Sequence, residues 1–371
     1  MKITRLETLF VKPRWVFLKM HTDAGIVGWG EPIVEGWSQT TAAAVHEMGR
    51  YLIGQDPRRI EHHWQALYRG GFYRGGPVLT SALSGVEQAM WDITGKWLGV
   101  PVYQLLGGAV RDKIRVYGHV GGDSTEAYIA SGQASVEKGF TAVKTGMFGA
   151  VEFVDSPRFV AEAAEKMAAL RRGVGESVDI GVDFHGRVSP AMAVKLCKAL
   201  EPYNPMFIEE PVLPGNVDAL VTVARSTTVP IATGERLFTR WGFREVLEKG
   251  AAVILQPDLS HAGGIFEVRK IAAMAEAYYA AIAPHCPLGP IALAACLQVD
   301  ACTPNFLCQE QVNMGEGYLK QPFELRDGYI DVPTGPGLGI EVDEEAIGDK
   351  LYDGAWDNPR LWHEDGSLAD W

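Results

Sequence analysis

Three acidic residues recur at an even interval along this chain: Asp183, Glu209 and Glu235, each 26 residues from the next. Each stands at the end of a short apolar run, in "VDIGVDF", "PMFIEEP" and "VPIATGE". Three carboxylates brought to one place repel each other unless a cation joins them. Oxygen ligands favour a hard ion, and Mg²⁺ suits a site that keeps positions open for water and substrate. In "FIEEP" the neighbours Glu209 and Glu210 point to opposite faces of a strand, and the even spacing selects Glu209.

The stretch "GVDFHGRV" adds a histidine two residues beyond Asp183. Alternate strand residues share a face, so Asp183 and His185 are expected to point the same way. A second histidine, His285, closes "AAIAPHC", and Asp258 of "LQPDLSHAGG" ends the run before it. A carboxylate partner orients an imidazole and raises its basicity, as a general base requires. Taken alone, an acid or a histidine is more often an ordinary satisfied polar residue. The argument here rests on several of them falling in one register.

That register is what the elements must supply. Eight apolar runs between residues 114 and 320 end in polar groups: His119, Lys144, Asp183, Glu209, Glu235, Asp258, His285 and Glu310. The steps are 23 to 27 residues, with one of 39 between Lys144 and Asp183, where "GMFGAVEFVD" inserts a loop. A strand, a helix and two loops need about that length, which predicts a (β/α)8-type barrel with its strands buried on both faces. Two of the helices open with Ser-Pro, at Ser156-Pro157 and Ser189-Pro190, an N-cap followed by proline at the first helical position. Active sites of such barrels lie at the C-terminal strand ends. His185 then sits about four strands round the mouth from His285, which suits a general acid facing a base across bound substrate.

Residues 1–113 read as a separate α+β domain. A hairpin joins "WVFLKMHT" to "IVGWGEP", and helical spacing follows in "SQTTAAAVHEMGRYLIG" and "TSALSGVEQAMWDITGKWLG". Between those helices "RGGFYRGGP" is a mobile-loop candidate. Residues 321–371 are rich in Gly, Pro, acids and aromatics, and are expected to pack back on the first domain.

Composition removes several function classes. A net charge of -12 with no basic patch argues against nucleic acid. No apolar run reaches membrane-spanning length, and "MKITRLETLF" is too short and too charged for a signal peptide. Five cysteines without a CxxC pair suit a reduced cytoplasmic protein. No P-loop, no GxGxxG on a strand and no GxSxG elbow is present. His62 and His63, adjacent on a helix, do not share a face and are poor metal candidates.

The motifs "VDFHGR", "FIEEPV", "TGERLF", "LQPDLSHAGG", "APHCPLGPIALAA" and "QEQ" resemble the enolase superfamily, and within it the mandelate-racemase-type acid-sugar dehydratases. "VGWGEP", "YLIGQDP", "GFYRGGP", "AMWDI" and "LGGAVRDKI" extend the resemblance over nearly the whole chain. It implies a modified TIM barrel, (β/α)7β, with an α+β capping domain, and a homo-oligomer. It implies Mg²⁺ on Asp183, Glu209 and Glu235 and a sugar acid as substrate, D-galactonate first and mannonate or gluconate next. His285, paired with Asp258, would remove the C2 proton to give an enediolate. Glu310 would hydrogen-bond the substrate carboxylate, and His185 would protonate the departing 3-hydroxyl. Loops such as "RGGFYRGGP", with Tyr73 and Arg74, would close over the mouth and touch substrate.

One departure sharpens this reading. Racemases of the superfamily carry a second base in a Lys-x-Lys pair, and here that pair reads Lys144-Thr145-Gly146. A single base suits elimination better than racemisation or cycloisomerisation, and Lys144 remains as positive charge near the metal. A catalytically retired barrel is disfavoured because every acid–base and metal group is present. The sequence here and after "QEQ" differs from the galactonate-type pattern, which leaves the exact sugar open.

Overall fold

The computed structural model describes residues 1–371. Its N-terminal layer is an antiparallel sheet of Ile3–Val11, Trp15–Thr22 and Val27–Gly30. The expected hairpin forms, pairing Leu18 with Gly30 and His21 with Val27. Helices Ser38–Leu52, Ile60–Arg69 and Pro77–Leu98 pack against this sheet or one another. The last helix comes unusually close. A Cβ on Gly30 would stand 2.0 Å from the Gly85 carbonyl oxygen, and one on Gly28 would stand 2.2 Å from that of Ala89. The glycines of "VGWG" thus permit backbone-to-backbone packing that no other residue allows.

Beyond this layer, seven parallel strands follow in consecutive order: Gly118–His119, Ala142–Gly146, Asp179–Asp183, Phe207–Glu209, Ile231–Thr233, Ile254–Leu255 and Ala281–Ile282. The eighth apolar run, "FLCQEQ", forms single bridges rather than a regular strand: Phe306 to Ile282 and Gln309 to Val116. These close the barrel, with the Leu307 amide donating to the Ile282 carbonyl and the Gln309 amide to Arg115, both at 2.8 Å. The barrel is filled by Tyr117, Ala142, Phe207, Ala232, Ile254, Ala283 and Cys308, so small residues make room for two large rings. The capping serines behave as expected: the Ser156 and Ser189 side chains accept from the amides of Phe159 and Met192. All five cysteines are buried and unpaired. No helix is long and apolar enough to cross a membrane.

Two segments differ from the sequence reading. The run "IRVYGHV" is divided. Lys113–Arg115 pairs antiparallel with Tyr329–Asp331, and only Gly118–His119 joins the barrel sheet. The later chain supplies a partner that periodicity cannot reveal. The tail also does more than return to the first domain. Leu351 bridges Val11, and Asn358 Nδ2 donates to the Glu35 carbonyl at 3.3 Å. The chain then crosses to the barrel, where a small hairpin of Leu361–Trp362 and Leu368–Ala369 places His363 3.1 Å from Glu152.

The first layer is fixed to the barrel through two buried glutamates. Glu31 accepts from the amides of Gly289 (2.7 Å) and Ala292 (2.9 Å), at the start of helix Pro290–Ala301. Glu87 accepts from Ile265 (2.8 Å) and Phe266 (2.9 Å), at the start of helix Ile265–Ala277. Helix N-termini present unpaired amides and favour acidic partners. Burial nonetheless pushes both carboxyl groups up to about 8. Ser84, Gln88 and Trp64 add hydrogen bonds to the loop 258–264.

The close approach at Gly30 makes a direct prediction. Gly30→Ala forces the sheet away from helix Pro77–Leu98 and is expected to cost about 1–3 kcal/mol, as overpacking does. Thermal unfolding of the two proteins checks this; an unchanged melting temperature would mean that the helix yields freely.

Candidate active site

The C-terminal strand ends open into a cavity of about 460 Å³. Its barrel wall carries His119, Lys144, Asp183, His185, Glu235, His285 and Glu310. Its opposite wall comes from the first domain and the tail, through Arg14, Glu35, Trp37, Asn358 and Trp371. A larger cavity of about 970 Å³, lined by Trp29, Lys96 and residues of the 321–344 segment, holds none of these groups. Converging titratable side chains, not size, mark the site.

Strand register sets Asp183 opposite Glu209 on the next strand. One ligand atom each from Asp183, His185 and Glu235 lies within 4.8 Å of the others. Glu209 is engaged differently: Oε1 is 2.8 Å from Lys144 Nζ, and Oε2 accepts from Gln256 at 2.7 Å. Lys144 is the hub of the mouth. Its Nζ also lies 2.7 Å from Glu310 and 3.7 Å from Asp183. Burial works against its charge, but Glu209, Glu310, Tyr117 and Asp183 prevail and raise its pKa well above the ordinary value.

The carboxylates test the fit of a cation. Glu235 Oε2 is buried, has no hydrogen-bond partner, and lies 3.3 Å from His285 Nε2. Burial, then the neighbouring Glu210 and Asp183, outweigh His285 and raise Glu235 to about 7. A buried, oxygen-rich set with an orphaned oxygen and an elevated pKa fits a hard divalent ion. Asp183 and Glu235 would hold it, with Glu209 on the adjoining strand.

His285 has the partner foreseen for it: Nδ1 is 2.8 Å from Asp258 Oδ2. Asp258 is itself held by the Ser260 amide at 2.7 Å. Burial opposes protonation of His285, but Glu310, Glu235 and Asp258 overcome it and raise its pKa well above 6.5. Glu310 accepts from the Cys286 amide at 2.9 Å and lies 3.2 Å from His119. Burial resists its ionisation too, yet Lys144, His285 and His119 hold it well below the usual carboxylate range.

His185 reaches the site by another route than strand alternation. The strand ends at Asp183, and His185 sits in a turn with φ 56°, left-handed and costly for a non-glycine residue. Asp183 Oδ1 stabilises that turn by accepting the His185 amide at 2.7 Å. The ring's Nδ1 has no partner, and its ring centroid stands 5.1 Å from that of Trp371.

Residues 6–107 match the mandelate racemase / muconate lactonizing enzyme N-terminal domain, and residues 127–346 match the enolase C-terminal domain-like family. The chain belongs to the enolase superfamily. A D-galactonate dehydratase from Ralstonia nicotianae is 53% identical, and one from Cronobacter sakazakii 52%, each over 100% of both chains. The solved structure of a mandelate racemase/muconate lactonizing enzyme-like protein from Roseovarius sp. TM1035 is 35% identical, covers 99% of each chain and superposes with a TM-score of 0.92.

In this enolase superfamily member the barrel residues named from sequence gather in one mouth, whereas Tyr73 and Arg74 do not. Tyr73 is 88% exposed, and the Arg74 guanidinium lies 5.9 Å from the Tyr68 ring, so neither lines the cavity. Lys144 lines the cavity, but its ammonium is engaged by carboxylates. Sequence reading missed Arg236, which lines the cavity and is held by the buried Glu210 at 2.6 Å. The second acid of "FIEEP" and the arginine after Glu235 were the available signals. Arg14 and Trp371 gave none, because only the fold brings them to the mouth.

Glu235 sets a pH dependence. Its folded pKa lies above the ordinary 4.5, so its contribution to cation-free stability is full below about 4.5 and lost as pH rises through about 7. A cation needs the ionised form and offsets that loss. The rise in melting temperature on adding millimolar divalent cation is therefore expected to grow from pH 5.5 to 8. Glu235→Gln should abolish the increment, and an increment independent of pH would contradict this assignment.

Proposed function

We propose that this enzyme dehydrates a sugar acid, D-galactonate first among the choices, to a 2-keto-3-deoxy acid in the presence of Mg²⁺. The observation that carries the reading is the mouth itself: the Asp258–His285 pair, His185 beside Asp183, and one acidic cluster between them. The 52–53% identity to curated D-galactonate dehydratases supports the choice of sugar.

In this reading His285 Nε2 removes the C2 proton while Asp258 holds Nδ1 and steadies the imidazolium. When bound, the divalent ion would neutralise Asp183, Glu209 and Glu235 and take up negative charge developing on the substrate carboxylate. A cation held by ionised Glu235 would also neutralise one of the charges that retain the proton on His285. Lys144 adds fixed positive charge on the same wall. An ionised Glu310 only accepts, so a hydrogen bond from it to the substrate carboxylate requires that it first take a proton. His185 gives a proton to the 3-hydroxyl as the C3–O bond breaks, and the resulting enol tautomerises to the ketone. Gly146 supports elimination over racemisation. It lines the cavity, and a Cβ there would meet nothing within 4 Å, so that side of the mouth has space but no second base. Unpaired cysteines suit a reducing, cytoplasmic setting, and a symmetric homo-oligomer is the commonest assembly for such an enzyme.

Purified protein with Mg²⁺ and a panel of aldonic acids, assayed for 2-keto-3-deoxy acids, tests the reading. Turnover of an acid other than D-galactonate would change the sugar and keep the chemistry. No product from any sugar acid would defeat the proposal. His285→Asn is expected to abolish both C2 exchange in deuterated water and dehydration, by roughly 10²–10⁴-fold. His185→Asn is expected to slow dehydration while C2 exchange persists; full dehydration by that variant would remove His185 as the acid.

A further inference from the structure

The two histidines of the mouth are held in unlike ways. His285 has a carboxylate on Nδ1. His185 has none, and its Nδ1 is buried without a hydrogen bond. Its backbone is fixed by Asp183, but a backbone contact does not set the ring's χ angles. Trp371 meets the ring both through its backbone and through an aromatic contact. The indole of Trp371 meets His185 edge to face, with an interplanar angle of 84°. Such contacts have directional preference as well as apolar area.

Trp371 is delivered there by the tail. Asn358 ties the segment to the Glu35 carbonyl, and Arg14 lies over the Trp356 ring. Leu368 and Ala369 of the terminal hairpin then line a groove with Phe153 and with Gly186 and Arg187, which directly follow His185. His363 pairs with Glu152 on the same side. Several separate contacts thus lead the tail to the mouth, where Trp371 meets the His185 ring.

We propose that Trp371 is a positioning residue for His185: its indole holds the imidazole toward the leaving group. The inference rests on the assignment of His185 as the proton donor. Only the elimination half of the reaction needs that ring in place, so loss of the indole should divide the two half-reactions.

Trp371→Ala and Trp371→Phe test it in the full-length protein, with the aldonic acid that the unaltered enzyme turns over. The alanine variant is expected to lose roughly 10- to 100-fold in kcat for dehydration, the scale of a misplaced catalytic group. C2 exchange in deuterated water should remain, so that the ratio of exchange to dehydration rises. KM should change much less than kcat, and phenylalanine, which keeps a ring against His185, should restore most of the rate. Equal losses of exchange and dehydration, a change confined to KM, or no change at all would overturn the proposal. Circular dichroism and the phenylalanine variant separate these outcomes from misfolding. An unaltered enzyme that acts on no sugar acid would instead defeat the dehydratase reading itself.

Discussion

Everything at the barrel mouth answers to one electrostatic problem: Asp183, Glu209, Glu235 and Glu310 are placed within reach of a single small volume. Repulsion between buried carboxylates has to be met by positive charge. Lys144 meets part of it, bonded to Glu209 and Glu310 and near Asp183. His285 meets another part from the far side, against Asp258 and Glu235. What remains is the orphaned oxygen of Glu235, raised to about 7. That oxygen has His285 at 3.3 Å but no hydrogen bond, which makes Glu235 the carboxylate that a cation would take. Superfamily membership and the acidic cluster both suggest a divalent ion here.

The barrel was legible because its geometry imposes a period on the sequence. Each strand must end at the same rim, so chemistry-bearing residues recur every strand–helix unit, and Asp183, Glu209, Glu235, Asp258, His285 and Glu310 are recoverable from spacing alone. What was not legible obeys no period. The strand Tyr329–Asp331 pairs with Lys113–Arg115 by a contact across more than two hundred residues. Arg14 and Trp371 enter the mouth from the two ends of the chain. Tyr73 and Arg74 looked suitable by residue type, but a glycine-rich loop does not itself specify where its aromatics point.

His185 shows how a correct juxtaposition can follow from an incomplete argument. Strand alternation puts residues i and i+2 on one face, and the two side chains do meet. The chain achieves this in a left-handed turn whose amide is captured by the Asp183 carboxylate. Asp183 is thus both a ligand candidate and the brace of the turn that presents His185. Substituting it would disturb two functions that the linear motif makes look separate.

The two buried glutamates that join the first layer to the barrel bear on how a substrate enters. Glu31 and Glu87 together engage four amides at the heads of two barrel helices, and Ser84, Gln88 and Trp64 bind the loop that carries Asp258. Tilting the whole layer away would strand all of these groups at once, each at about 1–3 kcal/mol. A hinge between the two halves is therefore the wrong picture of access. Passage must instead go past pieces that line the mouth without such bonds, such as the exposed side chain of Trp37, so that exchange with solvent is a property of small peripheral stretches while the catalytic frame stays in place.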